Sequence, residues 1–446
     1  MTIVVIGGGL AGAVATLALA EAGADAVQIA GPPGATALGA GAFDLASVSP
    51  GVPWLTARDA LRGTKLSALD RIALLLREAP SHPYARLFGN DVAAAQSAAR
   101  EAVARLSRWL APQGASLAGG FDATALLVCS PGTLRPADFA TAGPAGGDIS
   151  ACDEIGLLEA PGLAGYDARF TARGLTAELA AVGLANKRVR VVPLAWPAGV
   201  LDENPARVAA RLDAPAAGDA LAHALRGLGA AGRVLLAPPV LGIARTEALV
   251  AQLREATGGA VAEVLSFPPH ALAGFRFERA LRAAVSASRA RVVAGRVRAL
   301  RAASAGAPHE LEVEVSGAGA EKLVARAVVL ATGRFTSGGL SASGGEVREP
   351  LLGLALHDAE GRRVDGIPPH RSVRKGYATW QPLYNAGVRV DSSLRPLAPG
   401  GAPAAERVFC AGELIGGFDP ARERTGMGVA LITGLAAAAR AAESIQ

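Results

Sequence analysis

The sequence predicts a three-layer α/β fold around a parallel sheet, with a second α/β domain inserted into it. Residues 3–6 are an apolar, β-branched run that ends in three glycines, and the Ala/Leu-rich stretch 10–21 that follows has helical character. The 446-residue chain is 51% hydrophobic but only 4% aromatic, which is typical of small-residue helices packed on buried parallel strands. This length exceeds the usual single core, so we expect a second domain.

The first motif is a glycine fingerprint between that strand and that helix. Gly7, Gly9 and Gly12, with Gly8 inside the motif, have the spacing G-x-G-x-x-G in the strand–turn–helix context of a dinucleotide-binding turn. The first glycine permits the tight turn, the second lets a phosphate approach the backbone, and the third brings helix and strand together. The helix then presents its free N–H groups and positive dipole end to the phosphate. A glycine turn without a ligand is the structural alternative.

The acidic residue that usually holds an adenosine ribose is missing. In dinucleotide-binding proteins it stands about 20 residues after the turn, at the end of the second strand. Here Ala30 and Gly31 occupy that position, whereas Asp25 precedes the strand and Asp44 lies well beyond it. The pattern keeps a phosphate site and leaves open whether the nucleotide carries an adenosine.

Two more glycine turns follow strands in the second half of the chain. An Ala-Thr-Gly turn ends the apolar run 328–330, and an Ala-Gly-Glu turn ends the strand 407–410 before a glycine-rich helix start. Both resemble turns of flavin-dependent oxidoreductases, and the helix start would direct its positive end at the flavin edge where negative charge accumulates on reduction. The three turns together predict a Rossmann-like FAD/NAD(P)-binding flavoprotein fold. The residues assigned to cofactor binding are Gly7, Gly8, Gly9, Gly12, Thr332, Gly333, Gly412, Glu413, Gly426, Met427 and Gly428.

The remaining predicted elements divide the chain into discontinuous domains. We assign residues 1–50, 265–345 and 383–446 to the flavin-binding domain, 51–264 to an inserted cap or substrate domain, and 346–382 to a segment that returns to the cap. The insertion should have an α/β core of its own. The predicted strands are 26–30, 189–193, 233–237, 291–300, 310–315 and 323–330, and the predicted helices are 91–110, 174–184, 245–256 and one that begins near 426.

Charge and cysteine content argue against several other classes. The net charge is +5 and the isoelectric point is near 9.4, but no basic block or aromatic-interleaved stripe supports nucleic-acid binding. Cys129, Cys152 and Cys410 form no CxxC pair, so we expect no metal or iron–sulfur site. No run approaches the ~20 apolar residues of a membrane helix, and residues 1–6 lack a basic leader. We therefore expect a cytoplasmic protein.

Several short segments outside the glycine turns are more distinctive. They are residues 79–84, 132–135, 337–340, 348–354 and 416–420. With these segments and the first glycine turn, the chain resembles the B-subunit family of anaerobic glycerol-3-phosphate dehydrogenase over essentially its whole length.

The resemblance implies a flavin subunit that uses FMN and takes part in oxidising sn-glycerol 3-phosphate to dihydroxyacetone phosphate. It also implies two partners, a second flavoprotein subunit and an iron–sulfur, membrane-associated subunit that delivers electrons to quinone, so the chain would lie at the inner face of the membrane. The missing ribose acid suits FMN, whereas the fingerprint suits a pyrophosphate, so FAD is the alternative cofactor. The alternative functions are a fumarate-reductase-like or ketosteroid-type flavin dehydrogenase, a non-catalytic electron relay, and a flavoprotein that acts on RNA.

Oxidation of a secondary alcohol by a flavin requires a base for the hydroxyl proton. His82, His270 and His370 are the candidate bases, each with a structural or surface role as its alternative. We favour His370 because it lies in the basic segment 369–375, the densest such cluster near the flavin motifs.

A phosphate-bearing substrate favours arginines, which bind phosphate oxygens bidentately. We favour Arg334 and Arg348 because they bracket the glycine loop after the Ala-Thr-Gly turn. Arg135, Arg371 and Arg374 are further candidates, and surface solvation is the alternative for each.

Overall fold

The chain alternates between strands and helices as the sequence predicts. The computed structural model describes residues 2–46, 66–229, 231–267, 272–303, 306–375 and 381–446. The strands are β1 (Thr2–Ile6), β2 (Asp25–Ala30), β3 (Ala42–Phe43), β4 (Leu117–Gly119), β5 (Ala125–Val128), β6 (Leu134–Ala137), β7 (Phe139–Thr141), β8 (Glu154–Leu158), β9 (Arg188–Val192), β10 (Arg233–Ala237), β11 (Ala260–Glu263), β12 (Arg291–Arg301), β13 (His309–Val315), β14 (Gly319–Ala325), β15 (Ala327–Leu330), β16 (Leu356–His357), β17 (Gly387–Val388) and β18 (Val408–Cys410). The helices are α1 (Leu10–Glu21), α2 (Ala68–Glu78), α3 (Pro83–Phe88), α4 (Val92–Leu110), α5 (Ala168–Ala181), α6 (Pro205–Leu212), α7 (Pro215–Leu225), α8 (Thr246–Thr257), α9 (Leu272–Ala287), α10 (Pro382–Asn385), α11 (Pro420–Glu423) and α12 (Gly426–Glu443).

A large sheet carries the glycine turns. Within the described residues it has seven strands in the order β14-β13-β12-β2-β1-β15-β18. Five neighbouring strands, β12, β2, β1, β15 and β18, run parallel to one another. At the other edge, β13 and β14 continue from β12 as an antiparallel meander. Ile3, Val4 and Val5 are all fully buried, and because successive side chains of a strand point to opposite faces, both faces of the sheet are covered. The predicted three-layer α/β arrangement around a parallel sheet is confirmed.

A second, smaller parallel sheet has its own core. Its order is β11-β10-β8-β9, and buried residues such as Leu157 and Leu235 pack in a cluster separate from the larger core. This cluster begins at Leu126, so the part of the expected insertion that forms α2, α3 and α4 packs with the larger core instead. Val347 and Leu356, which belong to the segment that was expected to return to the cap, also pack in the larger core.

The strand predicted over 323–330 is two strands. β14 pairs antiparallel with β13 at the sheet edge, whereas β15 pairs parallel with β1 in the sheet centre. Arg326 lies between them, and its backbone N–H donates to the Thr2 carbonyl at 2.9 Å. The segment 323–330 therefore changes strand direction and pairing partner at Arg326.

Candidate nucleotide and substrate site

The first glycine turn brings three backbone segments into closer contact than any side chain permits. Gly7 has φ 130°, and a Cβ at this position would lie 2.1 Å from the carbonyl oxygen of Ala331. A Cβ on Gly12 would lie 2.0 Å from the carbonyl oxygen of Gly7. The turn therefore requires glycine at both positions, and it places the N-terminus of α1 directly at the end of β1.

A cleft of about 690 Å³ crosses the carboxyl ends of the five parallel strands of the large sheet. Parallel strands lie ~4.8 Å apart, so the four intervals of this edge span roughly 19 Å. The position agrees with the general rule that open α/β sheets bind ligands at the carboxyl edge of their strands. From one end to the other, the lining includes Arg296 and Arg298 of β12, Gly31 after β2, Gly8 after β1, Thr332 after β15 and Glu413 after β18.

Two polar side chains in the cleft favour a nucleotide. Thr332 Oγ1 is buried and has no hydrogen-bond partner among the described residues. Glu413 lies at the start of α12, because a Cβ on Gly426 would be 2.9 Å from its Oε1. Burial raises the pKa of Glu413, and Arg334 opposes that shift. The hydroxyl of Thr332 and the carboxyl group of Glu413 suit the polyhydroxyl chain of a flavin nucleotide. The N-terminus of α12 suits the flavin edge that becomes anionic.

The sequence-predicted cofactor residues converge on this cleft. Two of them stand behind its wall and hold helices in place: Gly12 contacts the Gly7 carbonyl, and Gly428 lies against the hydroxyl of Tyr84. Those that line the cleft are Gly7, Gly8, Gly9, Thr332, Gly333, Gly412, Glu413, Gly426 and Met427.

Arg334, which the sequence suggests as a phosphate ligand, is a buried structural group. Its guanidinium stacks over the Phe418 ring, with Cζ 4.9 Å from the centroid, and it donates to four backbone carbonyls. It therefore holds the loop after β18 against the turn after β15 and does not face a substrate. The four acceptors are the carbonyl oxygens of Glu413 (2.7 Å), Ile415 (3.1 Å), Phe418 (3.0 Å) and Tyr384.

Arg348 and His370 are exposed and stand apart from the cleft lining. Arg348 contributes a backbone pair with Ser341, and His370 lies in the short 3-10 turn Pro369–Ser372. His270 falls outside the described residues. His82 is fully buried, and burial lowers its pKa to about 3. The structure therefore gives no support to His370 as the base.

A half-buried pair of arginines beside α12, Arg135 and Arg424, contains a residue that the sequence analysis missed. Arg424 has φ 59°, a left-handed conformation that is costly for a side-chain-bearing residue. Its Nη1 is buried without a partner among the described residues. Arg135 donates to Asp44 Oδ2 at 3.1 Å. Burial lowers the pKa of Arg424, and Arg135 lowers it further.

Asp44 is thus in contact with Arg135 and acts on Arg424 only through its charge, so two guanidinium groups stand near one carboxylate, an arrangement that can accept an anion. This site adjoins the cleft, because Gly426 and Met427, two and three residues after Arg424, line the cleft. A Cβ on Gly428 would also lie 2.9 Å from the Asp44 carbonyl. The signal in the sequence was a basic residue immediately before the glycine-rich start of the last helix.

The fold and the cleft define a flavin-binding protein of the oxidoreductase class. The model of the family described as "FAD binding domain" matches residues 2–429. The chain is 30% identical to the B subunit of anaerobic glycerol-3-phosphate dehydrogenase from Pectobacterium atrosepticum, over 97% of this chain and 96% of that protein. It is also 30% identical to a Halobacterium salinarum protein named as a probable B subunit of the same enzyme, over 99% and 98% of the two chains.

The chain belongs to the FAD binding domain family and, within it, to the B-subunit family of anaerobic glycerol-3-phosphate dehydrogenase. Among solved structures it matches 3-ketosteroid-Δ4-(5α)-dehydrogenase from Rhodococcus jostii RHA1, with a TM-score of 0.41, 14% identity and coverage of 99% of this chain and 96% of that one.

Among the described residues no helix is long and apolar enough to cross a membrane, and no group of three or more His, Cys, Asp or Glu side chains could hold a metal ion.

Proposed function

We propose that the chain is an FAD-dependent oxidoreductase that oxidises sn-glycerol 3-phosphate to dihydroxyacetone phosphate and passes the electrons towards a quinone. The observation that carries the substrate half of the proposal is the half-buried Arg135–Arg424 pair beside the cofactor cleft. The names of the relatives support the same reaction. Bound flavin would supply the hydride acceptor, and the residues of this chain would hold the substrate and receive its proton.

FAD fits the cleft better than FMN does. A mononucleotide ends at its single phosphate, whereas the cleft continues past the first glycine turn to Gly31 and Arg296, across roughly 19 Å of sheet edge. The family model also names FAD. The preference for FMN rested on the family resemblance, with which the missing ribose acid at Ala30 is compatible, and we replace it with FAD, held by the glycine turns together with Thr332 and Glu413.

Arg135 and Arg424 would bind the phosphate group of the substrate. A phosphate monoester brings the negative charge that this pair lacks, and guanidinium groups bind its oxygens bidentately. The pair lies close to the start of α12, so a phosphate held there would leave the carbinol carbon next to the flavin end of the cleft.

Replacing Arg424 with glutamine should weaken binding of glycerol 3-phosphate about 10–100-fold, because one charge-assisted hydrogen bond contributes ~1.5–3 kcal/mol. The measurement is the dependence of the flavin reduction rate on substrate concentration in rapid mixing. Arg348→Gln is the matched control, since Arg348 is exposed and should leave the dependence unchanged. Equal effects of the two variants would remove Arg424 from the substrate site.

The reaction and the relatives' names support our proposal for partner chains, because those names describe one subunit of a larger enzyme. Electrons must leave the flavin for another chain, and we propose a second flavoprotein subunit and an iron–sulfur, membrane-associated subunit as the route to quinone. The chain would then lie at the inner face of the membrane through these partners.

Anaerobic mixing of the purified, flavin-loaded chain with glycerol 3-phosphate tests the proposed function. We expect the flavin absorbance to bleach with glycerol 3-phosphate and to persist with glycerol, which lacks the phosphate. If dithionite bleaches the flavin and glycerol 3-phosphate does not, the chain is an electron relay and the substrate assignment is wrong.

A further inference from the structure

A second cavity, of about 650 Å³, lies on the other side of the loop that follows β18. Glu413 lines the flavin cleft, whereas Ile415, Gly416 and Gly417 line the second cavity. Glu423 of α11 also lines the second cavity. A few residues of backbone therefore separate the cofactor cleft from a second polar space.

Three carboxyl groups surround one buried guanidinium between the two cavities. Glu413, Asp419 and Glu423 all interact with Arg334, and the Asp419 backbone N–H donates to Glu423 Oε1 at 2.8 Å. Arg422 Nε also lies 3.7 Å from Asp419 Oδ2, and three carboxylates opposite two cations still leave excess negative charge, so retention of a proton costs less than full ionisation. Burial, followed by the charge of Asp419, raises the pKa of Glu423 to about 7, although the backbone hydrogen bond from Asp419 opposes the shift.

Several buried polar atoms next to this cluster have no hydrogen-bond partner among the described residues. Glu423 Oε2 and His82 Nε2 are such a pair, 3.8 Å apart. Both side-chain polar atoms of Asn385 are unpartnered as well, and the Asn385 carbonyl accepts from Gly417 N–H at 2.9 Å. Buried polar groups of this kind are normally satisfied by ordered water. The cluster thus borders a hydrated region.

His82 is oriented towards Glu423. Its Nδ1 accepts a hydrogen bond from the Tyr84 backbone N–H at 3.1 Å, so the proton of the neutral ring is on Nε2. Burial keeps the ring neutral by lowering its pKa. Glu423 therefore faces a neutral donor on one side and the Arg334 cluster on the other.

We propose that Glu413, Asp419 and Glu423 form a proton path from the flavin cleft to the second cavity, with Glu423 as the group that exchanges protons with water there. The path rests on the proposed function. Oxidation of the alcohol to a ketone removes a hydride from carbon, which the flavin accepts, and a proton from the hydroxyl group, which enters the path near Glu413. Along the path only O–H bonds form and break, and the proton leaves from Glu423 Oε2. Arg334, Asp419 and His82 are the charged or titratable groups near the Glu423 carboxyl group, and Arg422 lies beside Asp419. The others that line the second cavity are Glu78, Arg86, His357, Asp358, Glu360 and Arg389.

Infrared titration of the flavin-loaded protein tests the path without substrate. We expect a protonated carboxylic acid band that titrates near pH 7, that Glu423→Gln abolishes and that Glu423→Asp restores. Glu78→Gln is the matched control, because Glu78 lines the same cavity but is exposed and should leave the band unchanged. If the component that titrates near pH 7 survives Glu423→Gln, the proposal is overturned.

Single-turnover reduction by glycerol 3-phosphate gives the second readout. Glu423→Gln should slow reduction about 100-fold, the lower end of the contribution that proton transfer makes to a rate, with unchanged substrate affinity and loss of the pH dependence near 7. An unchanged rate and pH profile also overturns the path. If the wild-type flavin is not reduced by this substrate, the proposed function fails, whereas the infrared titration still decides whether Glu423 exchanges protons.

Discussion

A Gly12→Val variant is expected to be isolated with little or no bound flavin. Even the Cβ of alanine would lie 2.0 Å from the Gly7 carbonyl oxygen, so a valine must push α1 away from the end of β1. The N–H groups at the start of α1 then no longer face the phosphate position. We expect flavin affinity to fall at least about 100-fold, which corresponds to roughly 3 kcal/mol, and overpacking to cost a further ~1–3 kcal/mol of stability.

Flavin content per protein and titration of the apoprotein with FAD are the measurements. Gly400→Ala is the control, because Gly400 is exposed, has no atom within 4 Å of a built Cβ and does not have a left-handed φ. A Gly12→Val protein that binds flavin like the wild type would show that the first glycine turn does not hold the cofactor.

Arg334→Met should lower the free energy of unfolding by about 3–5 kcal/mol, the usual cost of removing one partner from a buried charge network. Methionine keeps much of the side-chain length but donates no hydrogen bond. Four backbone carbonyls would lose their donor. The carboxyl groups of Glu413, Asp419 and Glu423 would lose the cation they share.

Denaturant unfolding of the flavin-loaded protein measures this effect. Arg348→Met is the matched control, since the exposed Arg348 should change stability by less than about 0.5 kcal/mol. A similar small change for Arg334→Met would mean that Arg334 does not stabilise the loop after β18, and its original interpretation as a substrate ligand would become the better one.

The sequence predicted the fold, and it predicted cofactor residues most of which line one cleft, because both predictions depend on local signals. Each glycine turn follows an apolar strand, and the strands run parallel, so their carboxyl ends meet at one edge. Helix α1 has the predicted bounds, and β12 ends one residue beyond its prediction. Motifs more than 300 residues apart thus come together without any long-range information in the sequence.

The substrate residues were harder to predict because burial and partners are not visible in a sequence. Arg334 and Arg348 flank one loop, yet the first is buried and bonded to backbone carbonyls while the second is exposed. Arg424 becomes a candidate only through its left-handed φ and its unpartnered Nη1. The missing ribose acid at Ala30 suggested FMN, but the length of the cleft depends on how β12 continues the sheet, which the local motif does not encode.

The central claim is that a flavin adenine dinucleotide lies across the carboxyl edge of the large sheet. Mass analysis of the small molecule released when the purified protein is denatured tests it most directly. We expect one FAD per chain. Release of FMN alone, or a colourless protein that takes up neither nucleotide on reconstitution, would contradict it.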